Sequence, residues 1–165
     1  MGRARPEPIY TFGWDRLRAV LDDPNLRDLI LEQAEELSVF RDHFAPDPDW
    51  PLLLGLEDAG QFKVFSVRCE GLLVGYIPFY LVRHPHYRTI LWATADNYYV
   101  DPAHRARAGM PMFRRAVEAL EKLDVRVIAV HDKIHTDREN VGMGDLFARL
   151  GFTAIERLYA KVLKR

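Results

Sequence analysis

Apolar positions recur along this chain with two periods, one near 3.6 residues and one of 2, and the period separates helices from strands. Leu26, Leu29, Ile30, Ala34, Leu37, Phe40 and Phe44 fall at helical spacing and predict a helix over about 25–44, ended by Pro46-Asp47-Pro48-Asp49. Met112, Phe113, Ala116, Val117, Leu120 and Leu123 predict a second helix over about 109–123. Pro111 suits its first turn, where a missing N–H costs nothing. Shorter helical stretches are expected at Trp14–Leu21, before Asp22-Asp23-Pro24, and at Trp50–Glu57. A last helix is expected over Asn140–Leu150.

Strand patterns lie between these helices. Ile9–Phe12 reads as a short strand. Phe62–Arg68 alternates, Glu70-Gly71 turns, and Leu72–Val82 is a long apolar run, so the three make a hairpin. Pro78 cannot donate to a ladder, so its N–H side should face an edge, a bulge or a splayed gap. Thr89–Val100 reads as a third antiparallel strand. Val125–Val130, Phe152–Ile155 and Leu158–Leu163 are expected to complete the sheet. Residues 1–7 are polar and read as loosely held.

Composition narrows the class. The chain has 165 residues, 48% hydrophobic and 28% charged, which suits one domain over 1–165 with a real core. A net charge of −1 argues against a coat for long nucleic acid and against a polybasic membrane anchor. No apolar run approaches the ~20 residues needed to span a bilayer. The single cysteine, Cys69, excludes an internal disulfide, reads as a core residue, and fits a reducing cytoplasm.

Three segments carry a resemblance. Glu70-Gly71-Leu72-Leu73-Val74-Gly75-Tyr76 enters a strand from a tight turn. Asp96–Phe113 reads strand, basic loop, helix. Asn140–Phe152, with Leu150-Gly151-Phe152 and Tyr159-Ala160-Lys161 beyond, reads helix and exit. Together they resemble the GNAT N-acetyltransferase superfamily. The resemblance implies an α/β (α+β) fold with a mixed, mostly antiparallel sheet, flanked by helices and splayed between its fourth and fifth strands. It implies acetyl-CoA as co-substrate and no metal. The pyrophosphate would meet Arg105, Arg107, Ala108, Gly109 and Met110, and the pantetheine arm would pair near Tyr99 and Val100. Asn140 and Phe147 of the last helix would complete the cofactor site. The physics agrees, because a helix N-terminus offers free N–H groups to anions and arginines add charge. The family's loop puts small residues where this chain has Ala108 and Met110, and Pro111 removes an amide. Phe147 stands where many members place a tyrosine as general acid. The His84-Pro85-His86-Tyr87 stretch is further similar to GNAT-like proteins of bacteriophages.

The implied chemistry is direct attack of a primary amine on a thioester. An alkyl ammonium has a pKa near ~10.4 and must first lose a proton, so a carboxylate or imidazole is needed. Asp96 is the first choice of base, with His86 and His131 as further candidates. Each also reads as an ordinary surface or strand-end residue. Glu36, His84, Tyr87, Asn97 and Tyr98 are the candidates for holding the acceptor. That acceptor would be a small-molecule or protein amine, and a homodimer is compatible. A catalytically silent GNAT-fold binding protein, or transfer from another acyl-CoA, are the alternatives.

Overall fold

The computed structural model describes residues 7–38, 40–95, 97–132 and 143–163. A six-stranded sheet runs β1 (Tyr10–Asp15), β2 (Phe62–Cys69), β3 (Leu72–His84), β4 (Tyr87–Ala95) and β6 (Val127–Val130), with β5 (Tyr99–Val100) paired to β3 beyond β4. All neighbours are antiparallel except β4 and β6, which are parallel. Helices α1 (Leu17–Leu21), α2 (Leu26–Leu37) and α3 (Trp50–Asp58) accompany one half of the core. Helices α4 (Arg105–Glu121) and α5 (Gly144–Arg149) accompany the other.

Local chemistry explains several elements. Glu70 and Gly71 both take positive φ, 50° and 87°, which a two-residue hairpin turn between β2 and β3 requires. Asp49 caps α3 by accepting the Leu52 N–H at 3.0 Å, and Pro51 sits in the first turn without cost. Arg68 ties three elements together. It donates to Asp15 of β1 at 2.9 Å, to Asp23 between α1 and α2, and to the Gly71 carbonyl at 3.1 Å.

Two apolar clusters flank the sheet. Phe65, Ile77, Phe79, Ala93, Met112, Phe113, Leu120 and Phe147 belong to one, with α4 and α5. Leu17, Val20, Leu29, Phe62, Val64 and Tyr76 belong to the other, with α1–α3. Successive residues of a strand point to opposite faces, and β2 and β3 therefore feed both clusters.

Five expectations need correction, the first being that Trp14 and Asp15 belong to β1, so the helix expected at Trp14–Leu21 covers only Leu17–Leu21. The strand expected over Thr89–Val100 is two strands, because β4 stops at Ala95 and β5 begins at Tyr99. The helix expected over 25–44 ends at Leu37, where Ser38 turns extended. The helix expected to begin near Gly109 begins at Arg105, so Pro111 lies inside it and the Arg107 carbonyl loses its intrahelical donor. Residues 152–163 form no strand, and Ile155, Leu158, Tyr159 and Leu163 are exposed. Alternation reports how a segment would suit a sheet, not whether an edge accepts it.

Candidate active site

The site begins with a change of register along β3. Tyr80 faces Thr94 of β4, and Tyr76 faces Tyr99 of β5. The β4–β5 side therefore carries one residue more than β3 over the same span, which marks a bulge. Leu81 N–H donates toward β2, to the Gln61 carbonyl at 2.8 Å. Backbone groups alternate sides along a strand, so the nitrogens of Tyr76, Pro78 and Tyr80 face β4 and β5. Pro78 thus points its missing donor into the bulge, as its chemistry demands.

Past the bulge the sheet opens. Ala95 pairs with Val130, and the His131 N–H still reaches the Ala95 carbonyl at 3.3 Å. Then β5 pairs with β3, and among the described residues the pairing of β4 with β6 does not continue beyond Ala95 and Val130. The Tyr98 hydroxyl crosses the opening and donates to the His131 carbonyl at 2.8 Å. Its ring packs edge-on against Phe113 and Phe147, with centroids 5.0 and 6.0 Å away. The Asp101 N–H donates to the Val74 carbonyl at 2.9 Å, so alternation turns the N–H and carbonyl of Val100 away from β3.

A cavity of ≈ 660 Å³ lies on the α1–α3 side of the sheet. Tyr76, Pro78 and Tyr80 of β3 line its sheet wall, Trp50 and Leu53 of α3 another, and Asn97 lies at the end next to the opening. The Tyr76 hydroxyl donates to Gln33 of α2 at 2.6 Å, and burial pushes its pKa well above the usual phenol range.

Arg105 opens α4 but turns inward. It donates through both terminal nitrogens to the Glu36 carboxylate, one contact at 2.9 Å, and through Nε to the Val100 carbonyl at 2.8 Å. Its guanidinium lies 5.1 Å from the Tyr99 ring centroid. Burial raises the Tyr99 pKa to about 12, with Arg105 pulling it down and Glu36 and Glu32 pushing it up.

The expected site residues divide accordingly. The structure brings together Asn97, Tyr98, Tyr99, Val100, Arg105, Glu36 and His131 around the opening and α2. Tyr98 and Phe147 spend their rings on the core, where both are buried. Glu36 serves Arg105 instead of standing on a free helix edge. Ala108 is fully buried, and Ala108, Gly109 and Met110 lie within α4 instead of in a loop. Arg107 is exposed near the start of α4. His84, His86 and Tyr87 cluster at the far end of the β3–β4 hairpin, with the His84 ring tilted against Trp92, centroids 4.6 Å apart. The nine-residue β4 spans about 27 Å, so these three do not join the opening. Asp96 and Asn140 lie outside the described residues. Sequence reasoning missed Gln33 and the cavity-lining loop residues Phe40 and Phe44 as site components. Their helical spacing disguised them as the buried face of one long helix.

Among the described residues no group of three or more His, Cys, Asp or Glu side chains could hold a metal ion. No described helix is long and apolar enough to cross a membrane.

Solved structures align over nearly the whole chain. An aminoglycoside acetyltransferase from an uncultured soil metagenomic sample matches with a TM-score of 0.70 at 14% identity, covering 94% of this chain and 99% of its own. The fold is that of the GNAT N-acetyltransferases. A ribosomal-protein-alanine N-acetyltransferase from Brucella melitensis biovar Abortus matches with a TM-score of 0.61 at 15% identity, over 95% of this chain and 100% of its own. An aminoglycoside N-acetyltransferase in complex with CoA matches with a TM-score of 0.60 at 14% identity, over 99% and 100%. No protein-family model matches the chain, and no curated protein matches it in sequence. The GNAT opening between the fourth and fifth strands corresponds here to the parting of β4–β5 from β6.

Proposed function

We propose that this protein is an N-acetyltransferase that moves an acetyl group from acetyl-CoA to a primary amine by direct attack in a ternary complex. The observation that carries the reading is the coincidence of the sheet opening with one end of the cavity, at Asn97. An acyl donor and an amine could meet there from opposite sides.

The residues present suit the donor. The Val100 N–H faces the opening and can pair with an extended amide-bearing arm. α4 begins at Arg105 with no side-chain cap and no acidic residue in its first turn, and Arg107 adds exposed positive charge. Free N–H groups and a partial positive charge there favour a pyrophosphate. A Cβ on Gly109 would meet open space, so a phosphate has room to approach. Acetyl-CoA, when bound, supplies the thioester carbonyl.

This chain's own groups then do three things. Asp96, assigned on its place in the sequence, takes the amine proton, directly or through water, with His131 as the second base. Tyr98 fixes the width of the opening through its bond to the His131 carbonyl. The cavity wall seats the amine's body beside the opening. As the new C–N bond forms and the C–S bond breaks, the amine proton goes to the base and the thiolate is protonated by solvent, since Phe147 cannot donate. The aminoglycoside and ribosomal-protein N-acetyltransferases of like fold place small-molecule and protein amines among the acceptors to be tried. The bacteriophage-type likeness rests on His84-Pro85-His86-Tyr87 alone.

Thermal melting with acetyl-CoA tests the reading. A ligand at a hundred times its Kd adds ~2.7 kcal/mol to stability. A shift with acetyl-CoA and CoA, followed by thiol release with an amine, is expected. No shift at millimolar acetyl-CoA would refute it. A second reading, a GNAT-fold binding protein without activity, draws on one observation: Glu36 occupies the Arg105 guanidinium that the resemblance assigns to the pyrophosphate.

A further inference from the structure

We infer that the acceptor carries its amine on a compact apolar body, aromatic or branched aliphatic, seated in the cavity under α1–α3. The inference rests on the proposed acetyl transfer for its chemistry, and on the cavity wall for the class of acceptor.

The wall is apolar for most of its extent. Leu17 and Val20 of α1, Ile30 and Leu37 of α2, and Phe62 and Val64 of β2 close three sides. Its volume of ≈ 660 Å³ lies within the ~300–1,000 Å³ usual for small-molecule sites. Asp47 and Asp49 are the carboxylates on the wall among the described residues, and Asp49 spends one oxygen capping α3. A polycation would bring several ammonium groups against apolar surface with few counter-charges, and a buried charge without a partner is costly. A monoamine brings one, and loses it on reacting.

The mouth carries the same signature. Phe44 is 61% exposed and Leu52 56%, and both line the cavity. Phe40 packs edge-on against Phe44, with centroids 6.5 Å apart. Exposed apolar side chains grouped at a concave site mark a surface that an apolar ligand covers. At the other end, the Asn97 side chain and the Tyr76–Gln33 pair supply the polar groups, next to the sheet opening. An apolar body held by the wall would thus direct its amine toward Asn97.

The test uses the full chain with 2-phenylethylamine, 3-methylbutylamine and spermidine. Binding is read by calorimetry without acetyl-CoA, and transfer by thiol release with it. The two monoamines are expected to bind and react with kcat/KM at least tenfold above spermidine. Phe44→Glu changes an exposed residue and adds a carboxylate at the mouth, so it should lower that preference about tenfold without unfolding the protein. Equal or better use of spermidine would overturn the inference while leaving acetyl transfer intact. Binding of the monoamines without transfer would support the ligand class and count against the proposed reaction. Failure of both monoamines to bind would overturn the inference outright.

Discussion

Gly75 sits where β3 must accept β5, and adding one methyl there tests the geometry of the opening. A Cβ at this position would lie 2.8 Å from the Tyr99 carbonyl oxygen, 2.9 Å from Val100 Cγ2 and 2.9 Å from Val67 Cγ1. All three are closer than real Cβ contacts allow. One is backbone, and the two valines are buried, so no flexible side-chain end can yield. Either β5 moves off β3 or Val67 leaves its rotamer in a packed core. Overpacking of this kind costs about 1–3 kcal/mol. The alanine also narrows the unfolded ensemble, which returns about 0.4–1 kcal/mol. Taking the middle of both ranges, Gly75→Ala should destabilise by about 1.3 kcal/mol, a fall in Tm of roughly 3–5 °C for a domain of this size. Gly109→Ala is the internal control. It lies within α4, and its Cβ would meet nothing within 4 Å, so it should stabilise by about 0.5–1 kcal/mol. Urea unfolding followed by circular dichroism measures both. A neutral or stabilising Gly75→Ala, or two variants shifting the same way, would refute the reasoning.

Three further outcomes follow from the side-chain networks. Arg68→Met should cost about 2–4 kcal/mol in urea unfolding, because it leaves the Asp23 carboxylate, whose side chain is 5% exposed, with the Asn25 and Leu73 N–H donors but no counter-charge; a loss below ~0.5 kcal/mol would show that the pair contributes no more than a surface bridge. A double-mutant cycle with Glu36→Gln and Arg105→Gln should give a coupling of about 1–2 kcal/mol, above the ~0.2–1 of exposed pairs, since Glu36 and Arg105 are only 25% and 36% exposed; additive effects would dissolve the link between α2 and α4. Tyr99, raised to about 12 from the ordinary 10.0, favours its protonated form when folded, so its share of stability is complete below pH ~10 and is lost as pH rises toward 12. Ultraviolet titration should show fewer than the chain's seven tyrosines ionising near pH 10, and full titration there would contradict the buried placement of Tyr76 and Tyr99.

The fold was legible where pattern and local chemistry agree. The β2–β3 hairpin follows from alternation on both sides of Glu70-Gly71, and the face of α4 follows from Met112, Phe113, Ala116 and Leu120, all buried. The parts that escaped depend on partners remote in sequence. Nothing local says that Phe40 and Phe44 leave a helix to rim a cavity, since their spacing continues that of Leu37. Nothing local says that Arg105, a plausible phosphate ligand by type, meets Glu36, a residue 69 positions away. The His84–Tyr87 cluster was misplaced for the same reason. A strand's sequence gives its order and faces, but distance from a bulge depends on where the bulge falls.

The bulge itself is the feature from which the rest of the site follows. Pro78 cannot donate, so β3 offers no regular ladder to its neighbour at that point. The neighbouring chain uses one extra residue to rejoin β3 at Tyr76, and the rejoining is possible because Gly75 lets the Tyr99 carbonyl approach. With β5 drawn to β3, the strand pairing of β4 with β6 ends at Ala95 and Val130 among the described residues, and the sheet opens. Tyr98 then spans the gap, while Val100 turns its N–H into it. Pro78 also lines the cavity on the face that Tyr76 and Tyr80 share. The residue that breaks the ladder on one side of β3 therefore helps shape the acceptor wall, which ties the two halves of the proposed reaction to one short stretch of strand.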